Sequence, residues 1–423
     1  MTRTRQRNAR REKERAEKPP APPAPSRLRE PRDGLPPVID RIQPLLAWCE
    51  AAASNPEEPV AVDAERASSF RYSSRAYLLQ LRTDTAGTAL VDPVAFTLPP
   101  QLAKVLRGRE WVLHAAGQDL PCLAELGLAP DALFDTELAA RLLGMERVGL
   151  GAVVEDTLGL SLAKEHSAAD WSSRPLPESW LVYAALDVEV LVEVRDVLAA
   201  RLESSGKTSY AREEFEYART AEPAPARSSS WRGLHSVGVL RSPRQMAAAR
   251  AMWERRDAIA REEDLSPHRV LRDRDLVSAA KAAPQGKDDF LAALPRTTHH
   301  KDQWWKAARS GLTLPPSHLP EREPSGAMPS HKQWAKKFPE LSARYQAVRE
   351  AVGQRAEDLE MPTENLLQPS LLRQWAWDQQ EVQGPTEQQI AEQLAALGAR
   401  SWQVEQTAAV IQRALQEQAG AQQ

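Results

Sequence analysis

Residues 218–230, "ARTAEPAPARSSS", mark the change of periodicity that most constrains this fold: strand and helix signals mix before them, and no convincing strand follows them. A run of Pro, Ala and Ser supports neither element, so it reads as a linker between units that must build their cores differently. A second such stretch, "EKPPAPPAPSRLREPRDGLPP" at 17–37, sets the start of the first folded unit near residue 38. The expected division is a disordered basic and Pro-rich arm at 1–37, a first unit at 38–217, the linker at 218–230, and helical units at 231–320 and 321–423. A chain of 423 residues is too long for one ordinary core, and about two to four domains is the prior at this length.

Within the first unit, "PVAVDA", "AYLLQLRT", "GTALVDP" and "EWVLHAA" read as strands, with helices after the last. Three successive strands followed by α/β alternation imply a mixed sheet with helices packed on it. The last helix reads as continuous from Pro177 to about Leu202, with Pro177 in its first turn. Beyond residue 231 a repeat recurs at an offset of 95: Glu262, Pro267, Leu271 and Leu276 match Glu357, Pro362, Leu366 and Leu371. Two related helical modules follow. In the first, Met246, Ala249, Trp253 and Ala260 share a helical face that reads as core, Arg255, Arg256 and Arg261 fall off it, and Ser266 before Pro267 reads as an N-cap.

Composition narrows the class. A hydrophobic fraction of 42% supports real cores, and no apolar run approaches the roughly 18 residues that span a bilayer. The start "MTRTRQRNARREKERAEK" carries no apolar secretory segment, so a cytoplasmic protein without a membrane partner is expected. Two cysteines, Cys49 and Cys122, exclude a disulfide framework and a cysteine zinc site; both read as reduced and structural. The net charge of -3 hides an asymmetry, since residues 1–30 hold ten Lys or Arg against four Glu. Such an arm either binds polyphosphate or is simply solvated.

The chemistry begins with "AVDAER". In a strand the side-chain period is 2, so Asp63 and Glu65 share a face and repel each other unless something neutralises them. "EWVLHAAGQDL" places Asp119 after an apolar strand, where it reads as an N-cap or as a site acid. "YAALD" places Tyr183 and Asp187 on one helical face, within an apolar run where an acid is costly unless it is paired or ligates a metal. His114 and Gln118 flank Asp119. Arg174 follows "DWSS" and suits either a substrate phosphate or a salt bridge to Asp170. "THHKDQWW" at 298–305 lacks ligand spacing and reads as helix packing.

The order D-x-E, then D, then Y-x-x-x-D resembles the tyrosine-bearing branch of the DEDD 3′ to 5′ exonucleases. "AVDAER", "YLLQLRT", "LHAAGQDLPCL", "FDTELAARLLG", "DWSSRPL" and "YAALDVEVL" together resemble the ribonuclease D family, and the helical repeats resemble its helicase-and-ribonuclease-D C-terminal (HRDC) modules. The resemblance covers roughly residues 40 to 415. It implies an α/β ribonuclease H-like exonuclease domain with a mixed sheet flanked by helices, followed by two all-α HRDC-like domains. It further implies hydrolysis of RNA from a free 3′ end, with tRNA precursors as substrate and nucleoside 5′-monophosphates as product, by a chain favoured to be monomeric. Asp63, Glu65, Asp119 and Asp187 would hold two divalent cations, Mg²⁺ or Mn²⁺, about 3.5 to 4 Å apart, with Tyr183 orienting the attacking water. One departure stands out: the residue after the motif glutamate is often aromatic in these proteins and here is Arg66, which favours a phosphate over a terminal base. A DNA exonuclease and an inert nucleic-acid scaffold are the competing readings, and the repeats could contact protein instead of RNA.

Overall fold

In the computed structural model, residues 25–162, 166, 168–221, 230–282, 286–321, 328–329, 331–379 and 384–420 are described. Eight strands form among them: β1 (Ser26–Arg27), β2 (Val38–Ile39), β3 (Val60–Arg66), β4 (Ala76–Thr83), β5 (Gly87–Val91), β6 (Glu110–Leu113), β7 (Ala132–Asp135) and β8 (Leu160–Ser161). Six of them make one mixed sheet in the order β2-β5-β4-β3-β6-β7. β3 runs antiparallel to β4 and parallel to β6, so the strand carrying Asp63 and Glu65 has a partner on either edge.

Alternation along β3 sorts its two faces. Val60, Val62 and Ala64 pack with Leu79, Leu81 and helix Ile42–Ala53, while Ala61 packs with Val112, Val188, Val190 and Val194 on the opposite side. Trp48 fixes the first helix by donating from Nε1 to the Gly87 carbonyl at 3.0 Å. The layered first unit thus matches the mixed sheet with flanking helices that the pattern implied.

Two expectations need correction. The helix expected from Pro177 to about Leu202 is two helices, Glu178–Glu189 and Leu191–Ser204, broken where Val190 relaxes to φ −107°, ψ −6°. The break lets the first helix lie across β3, β4 and β5 while the second turns onto β6 and the neighbouring helices. Both halves keep apolar faces, so hydrophobic spacing alone does not register it. The arm expected over 1–37 does not extend to residue 37. β1 pairs in parallel with β8, Arg32 donates its backbone N–H to Glu189 at 3.3 Å, and its guanidinium pairs with Glu193. These long-range charge contacts recruit residues that a Pro-rich composition would leave unstructured; residues 1–24 lie outside the described residues.

The helical half repeats its architecture as well as its residues. Pro243–Glu262, Pro267–Val270 and Asp273–Ala282 correspond in length and order to Pro339–Asp358, Thr363–Leu366 and Pro369–Asp378. The first long helix starts at a capping box between Ser242 and Gln245. Ser266 sits at an N-cap position, but its hydroxyl bonds His268 Nδ1 at 2.7 Å instead of capping the helix. Arg256 is buried against the Leu271 carbonyl and Asp273. "THHKDQWW" is structural as read, with Trp304 fully buried and His300 3.0 Å from Glu263. Cys49 and Cys122 are free and buried.

The two modules join the first unit differently. The second shares one apolar cluster with it, where Phe134, Leu198 and Phe215 meet Trp334, Val348 and Trp402, and Tyr210 stacks on Trp402 at 4.6 Å. The first meets loop 67–75 through polar groups: Tyr72 Oη donates to Asp257 at 2.9 Å, Ser266 N–H to the Phe70 carbonyl at 3.1 Å, and Arg269 lies 4.2 Å over the Phe70 ring.

Inside the first module, helix Pro243–Glu262 and helix Lys301–Leu312 approach until a Cβ on Gly311 would stand 2.4 Å from the Ala247 carbonyl oxygen. Gly311→Ala should therefore force the helices apart and cost about 1–3 kcal/mol, typical of overpacking a tight core. Urea unfolding followed by helical circular dichroism checks this as a lowered midpoint.

Candidate metal centre

The strand period places Asp63 and Glu65 on the sheet face covered by helix Glu178–Glu189, opposite Gln80 and Leu78 of β4 respectively. That helix brings in Asp187, which is 8% exposed. One carboxylate oxygen from each of Asp63, Glu65 and Asp187 lies within 4.8 Å of the other two. Like charges this close are tolerable only with protons or a cation among them.

Asp119 arrives on a third element. β6 runs parallel to β3, so the turn after it emerges at the same end of the sheet. The Asp119 side chain makes no capping bond to the helix it precedes; it is 5% exposed and lies 3.3 Å from Arg66 Nη2. A register irregularity between Glu65 and Arg66 takes the arginine out of strict alternation and lets it reach this acid.

The electrostatics follow from burial. Burial first, then the charges of Asp63, Asp187 and Asp119, push Glu65 from its ordinary 4.5 up to about 9. Burial raises Asp63 too, and burial together with Asp63 raises Asp119 well above the carboxylate range, with Arg66 opposing both. Tyr183, one helical turn before Asp187, hydrogen-bonds that acid, and burial followed by Asp187 and Glu65 drives its phenol upward. It stays a neutral hydroxyl, edge-on to His166 at 5.8 Å.

The other expected contacts divide. Arg174 is not open to a phosphate or paired with Asp170: its five N–H donors go to Asp92 at 2.6 and 2.9 Å and to the carbonyls of Trp171, Ser173 and Tyr77. His114 is scaffolding. Thr136 Oγ1 lies 2.9 Å from His114 Nδ1 and 3.1 Å from the Leu113 carbonyl, while burial lowers the imidazole to about 4. Gln118 is exposed on the Asp119 turn and lines a cavity of about 600 Å³ with Arg141, Tyr217 and Arg400. Arg66 lies at the acids, its side chain 28% exposed.

Asp135 is a residue the motif reading missed. It accepts from the backbone N–H of Ala115 at 3.1 Å, Ala116 at 2.8 Å, Glu137 at 2.9 Å and Leu138 at 3.2 Å. The first two bonds hold Ala115 in the left-handed region at φ 59°, where a non-glycine residue is uncommon, and so aim the turn that carries Asp119. "FDTEL" does carry the signature of an N-cap aspartate; its second task depends on the tertiary fold.

Hard carboxylate oxygens, excess negative charge and raised proton affinities fit divalent cations that prefer oxygen ligands. This fold and its buried acids are those of a metal-using 3′ to 5′ exonuclease. Residues 37–203 match the family model described as 3'-5' exonuclease, residues 245–302 the HRDC domain, and residues 327–415 the 3' to 5' exonuclease C-terminal domain. The second helical module is thus matched by its own model. Ribonuclease D of Jannaschia sp. (strain CCS1) is 31% identical over 302 residues, 68% of this chain and 77% of that protein. A crystal structure of a protein from Bifidobacterium adolescentis, 38% identical, superposes with a TM-score of 0.82 over 93% of this chain and 100% of that one. That of Escherichia coli RNase D, an exoribonuclease involved in structured RNA processing, gives 0.66 at 26% identity over 85% and 98%. The chain belongs to the ribonuclease D family of 3′ to 5′ exoribonucleases. Among the described residues no helix is long and apolar enough to cross a membrane.

The raised Glu65 value makes a signed prediction. The folded form keeps a proton that the unfolded chain loses above pH 4.5, so without metal this group costs stability increasingly from pH 4.5 to about 9 and nothing below. Glu65→Gln should melt higher than wild type in EDTA, with a gap that widens over that interval and closes at lower pH. Thermal unfolding in EDTA across pH checks it.

Proposed function

We propose that this chain trims RNA from its 3′ end with a pair of divalent cations, Mg²⁺ or Mn²⁺, held by Asp63, Glu65, Asp119 and Asp187, and that tRNA precursors are its substrate class. The convergence of carboxylate oxygens of Asp63, Glu65 and Asp187 within 4.8 Å carries this reading. Bound there, such cations would acidify a water and offset charge on the attacked phosphate and the departing oxygen.

The protein's own groups do the rest. Glu65 and Asp63 leave the rigid central strand at fixed spacing, and Asp187 closes the cluster from the covering helix. Tyr183 holds the attacking water through its hydroxyl; with its proton affinity raised, it positions the water without taking a proton from it. Arg66, part-exposed beside Asp119, presents a guanidinium to the phosphate entering the site. Gln118, on the exposed side of the same turn, contacts the nucleotide next to the scissile bond. The products are nucleoside 5′-monophosphates.

On this reading the nuclease unit takes in residues 25–220, since β1 and Arg32 are built into it and helix Thr208–Thr220 runs past the expected boundary at 217; the segment up to 230 links it to the helical modules at 231–320 and 321–423, and those modules grip the RNA body through salt-sensitive phosphate contacts. The chain works as a monomer in the cytoplasm.

A time course on a tRNA precursor with Mg²⁺, Mn²⁺ or EDTA tests class, metal and site together. Stepwise 3′ shortening with release of 5′-monophosphates is expected with either metal and none in EDTA. Asp187→Ala should lose about 10²- to 10³-fold or more in kcat, the scale on which removing one electrostatic stabiliser acts, with RNA binding largely retained. Full activity in Asp187→Ala would sink the assignment, and equal trimming of a matched DNA strand would remove the preference for RNA.

A further inference from the structure

We propose that Gln80 is a positioning residue for Asp63, holding that carboxylate in the orientation in which it binds a divalent cation; the inference rests on the metal-centre reading above. Gln80 lies on β4 with no solvent exposure, and neither its Nε2 nor its Oε1 has a hydrogen-bond partner among the described residues. A buried amide with its whole capacity unmet is costly, and a leucine or methionine would fill the same space without that cost.

The register shows what the amide is placed to serve. Gln80 stands directly opposite Asp63 in the antiparallel β3/β4 pair, where facing side chains share a sheet face. The alternatives around it are closed. On the same face of β4, Leu78 is apolar and Arg82 is engaged with Thr88, Asp33 and Glu189. Across β5 its neighbour is Leu90, and the covering helix contributes buried Ala184, Ala185 and Val188 together with Glu189, whose carboxylate is held by Arg82 and the Arg32 N–H. Asp63 is the acid that the register sets directly opposite.

An amide suits this place better than another charge. Its Nε2–H donates most strongly to an ionised carboxylate, and a carboxylate that ligates a cation is ionised. Being neutral, it adds nothing to the repulsion among Asp63, Glu65 and Asp187. A donor to one Asp63 oxygen fixes which oxygen faces the cation, the way groups behind the ligands commonly tune a metal site.

Gln80→Met keeps the length and removes the amide; Gln80→Asn keeps the amide and shortens its reach. The measurements are Mn²⁺ binding to the RNA-free protein by calorimetry, thermal midpoint in EDTA, and kcat and KM on RNA. Both variants should bind Mn²⁺ about tenfold more weakly, within the range for groups behind a ligand, with KM for RNA unchanged. Gln80→Met should also melt higher than wild type in EDTA, because an unmet buried amide is gone. Unchanged Mn²⁺ affinity in either folded variant overturns the proposal, as does a lower midpoint in EDTA with normal Mn²⁺ binding, the mark of a purely structural glutamine. If Gln80→Met fails to fold, Gln80→Asn decides. Wild-type protein that takes up no Mn²⁺ overturns the metal-centre reading itself, and Gln80 falls with it; normal uptake by wild type with no effect of the variants removes only Gln80.

Discussion

Mutual repulsion among Asp63, Glu65 and Asp187 is the constraint on which the nuclease unit depends. Two unit charges 4 Å apart interact by about 4 kcal/mol at the effective dielectric of a protein surface, and here three acids lie within 4.8 Å of one another. A loose scaffold would relieve that energy by moving the acids apart. This one resists at each support. β3 is paired along its length with β4 and, just before the acids, with β6 at Val60 and Ala61, so Asp63 and Glu65 cannot swing away without breaking the β4 ladder. Glu189, two residues after Asp187, is tied to Arg82 on β4 at 3.3 Å and to the Arg32 N–H. The turn bearing Asp119 is held by Asp135, and Asp119 itself by Arg66. Stability elsewhere holds the acids in place, a common arrangement at functional sites.

The same logic separates the helical modules. The second is joined to the nuclease unit by a continuous apolar cluster, reinforced where Glu214 accepts from Arg400 and from Trp402 Nε1. Such a junction behaves as core and resists salt. The first rests on Tyr72, Asp257, Arg261, Asp264 and Arg269, a largely polar seam of the kind that permits relative motion. That seam grips loop 67–75, the direct continuation of the strand bearing Asp63 and Glu65. Salt therefore acts on the surroundings of the site as well as on any RNA contact.

Much of this was legible in the sequence because the signals were local. A period of 2 put Asp63 and Glu65 on one face, and a spacing of four put Tyr183 above Asp187. The 95-residue repeat showed two related helical modules. What escaped was set by contacts distant in sequence. The break at Val190 leaves hydrophobic spacing intact and is imposed by packing on two parts of the sheet. Residues 25–37 look like linker, yet Arg32 and Asp33 find partners more than forty positions away. Arg174 read as a phosphate contact or a partner of nearby Asp170 because Asp92, 82 positions distant, is invisible as its partner from sequence. Asp135 announced a helix cap but not the second turn it holds. The likeness to ribonuclease D supplied the grouping of the acids; spacing alone left each with an ordinary explanation.

The distance along the chain between these acids has a thermodynamic consequence. Asp63 and Glu65 meet Asp187 from a strand and a helix more than 120 positions apart, with Asp119 on a turn near them, so the unfolded chain contains no comparable group of acids. A cation that binds only the assembled set stabilises the folded form by its own binding free energy. Part of that free energy is relief of the repulsion that, after burial, raises Glu65. Arg66 offsets only part of the charge, and its guanidinium cannot sit among three oxygens as a small ion can. The chain therefore carries a deliberate instability at its centre, which a divalent cation removes and the rest of the fold must otherwise withstand.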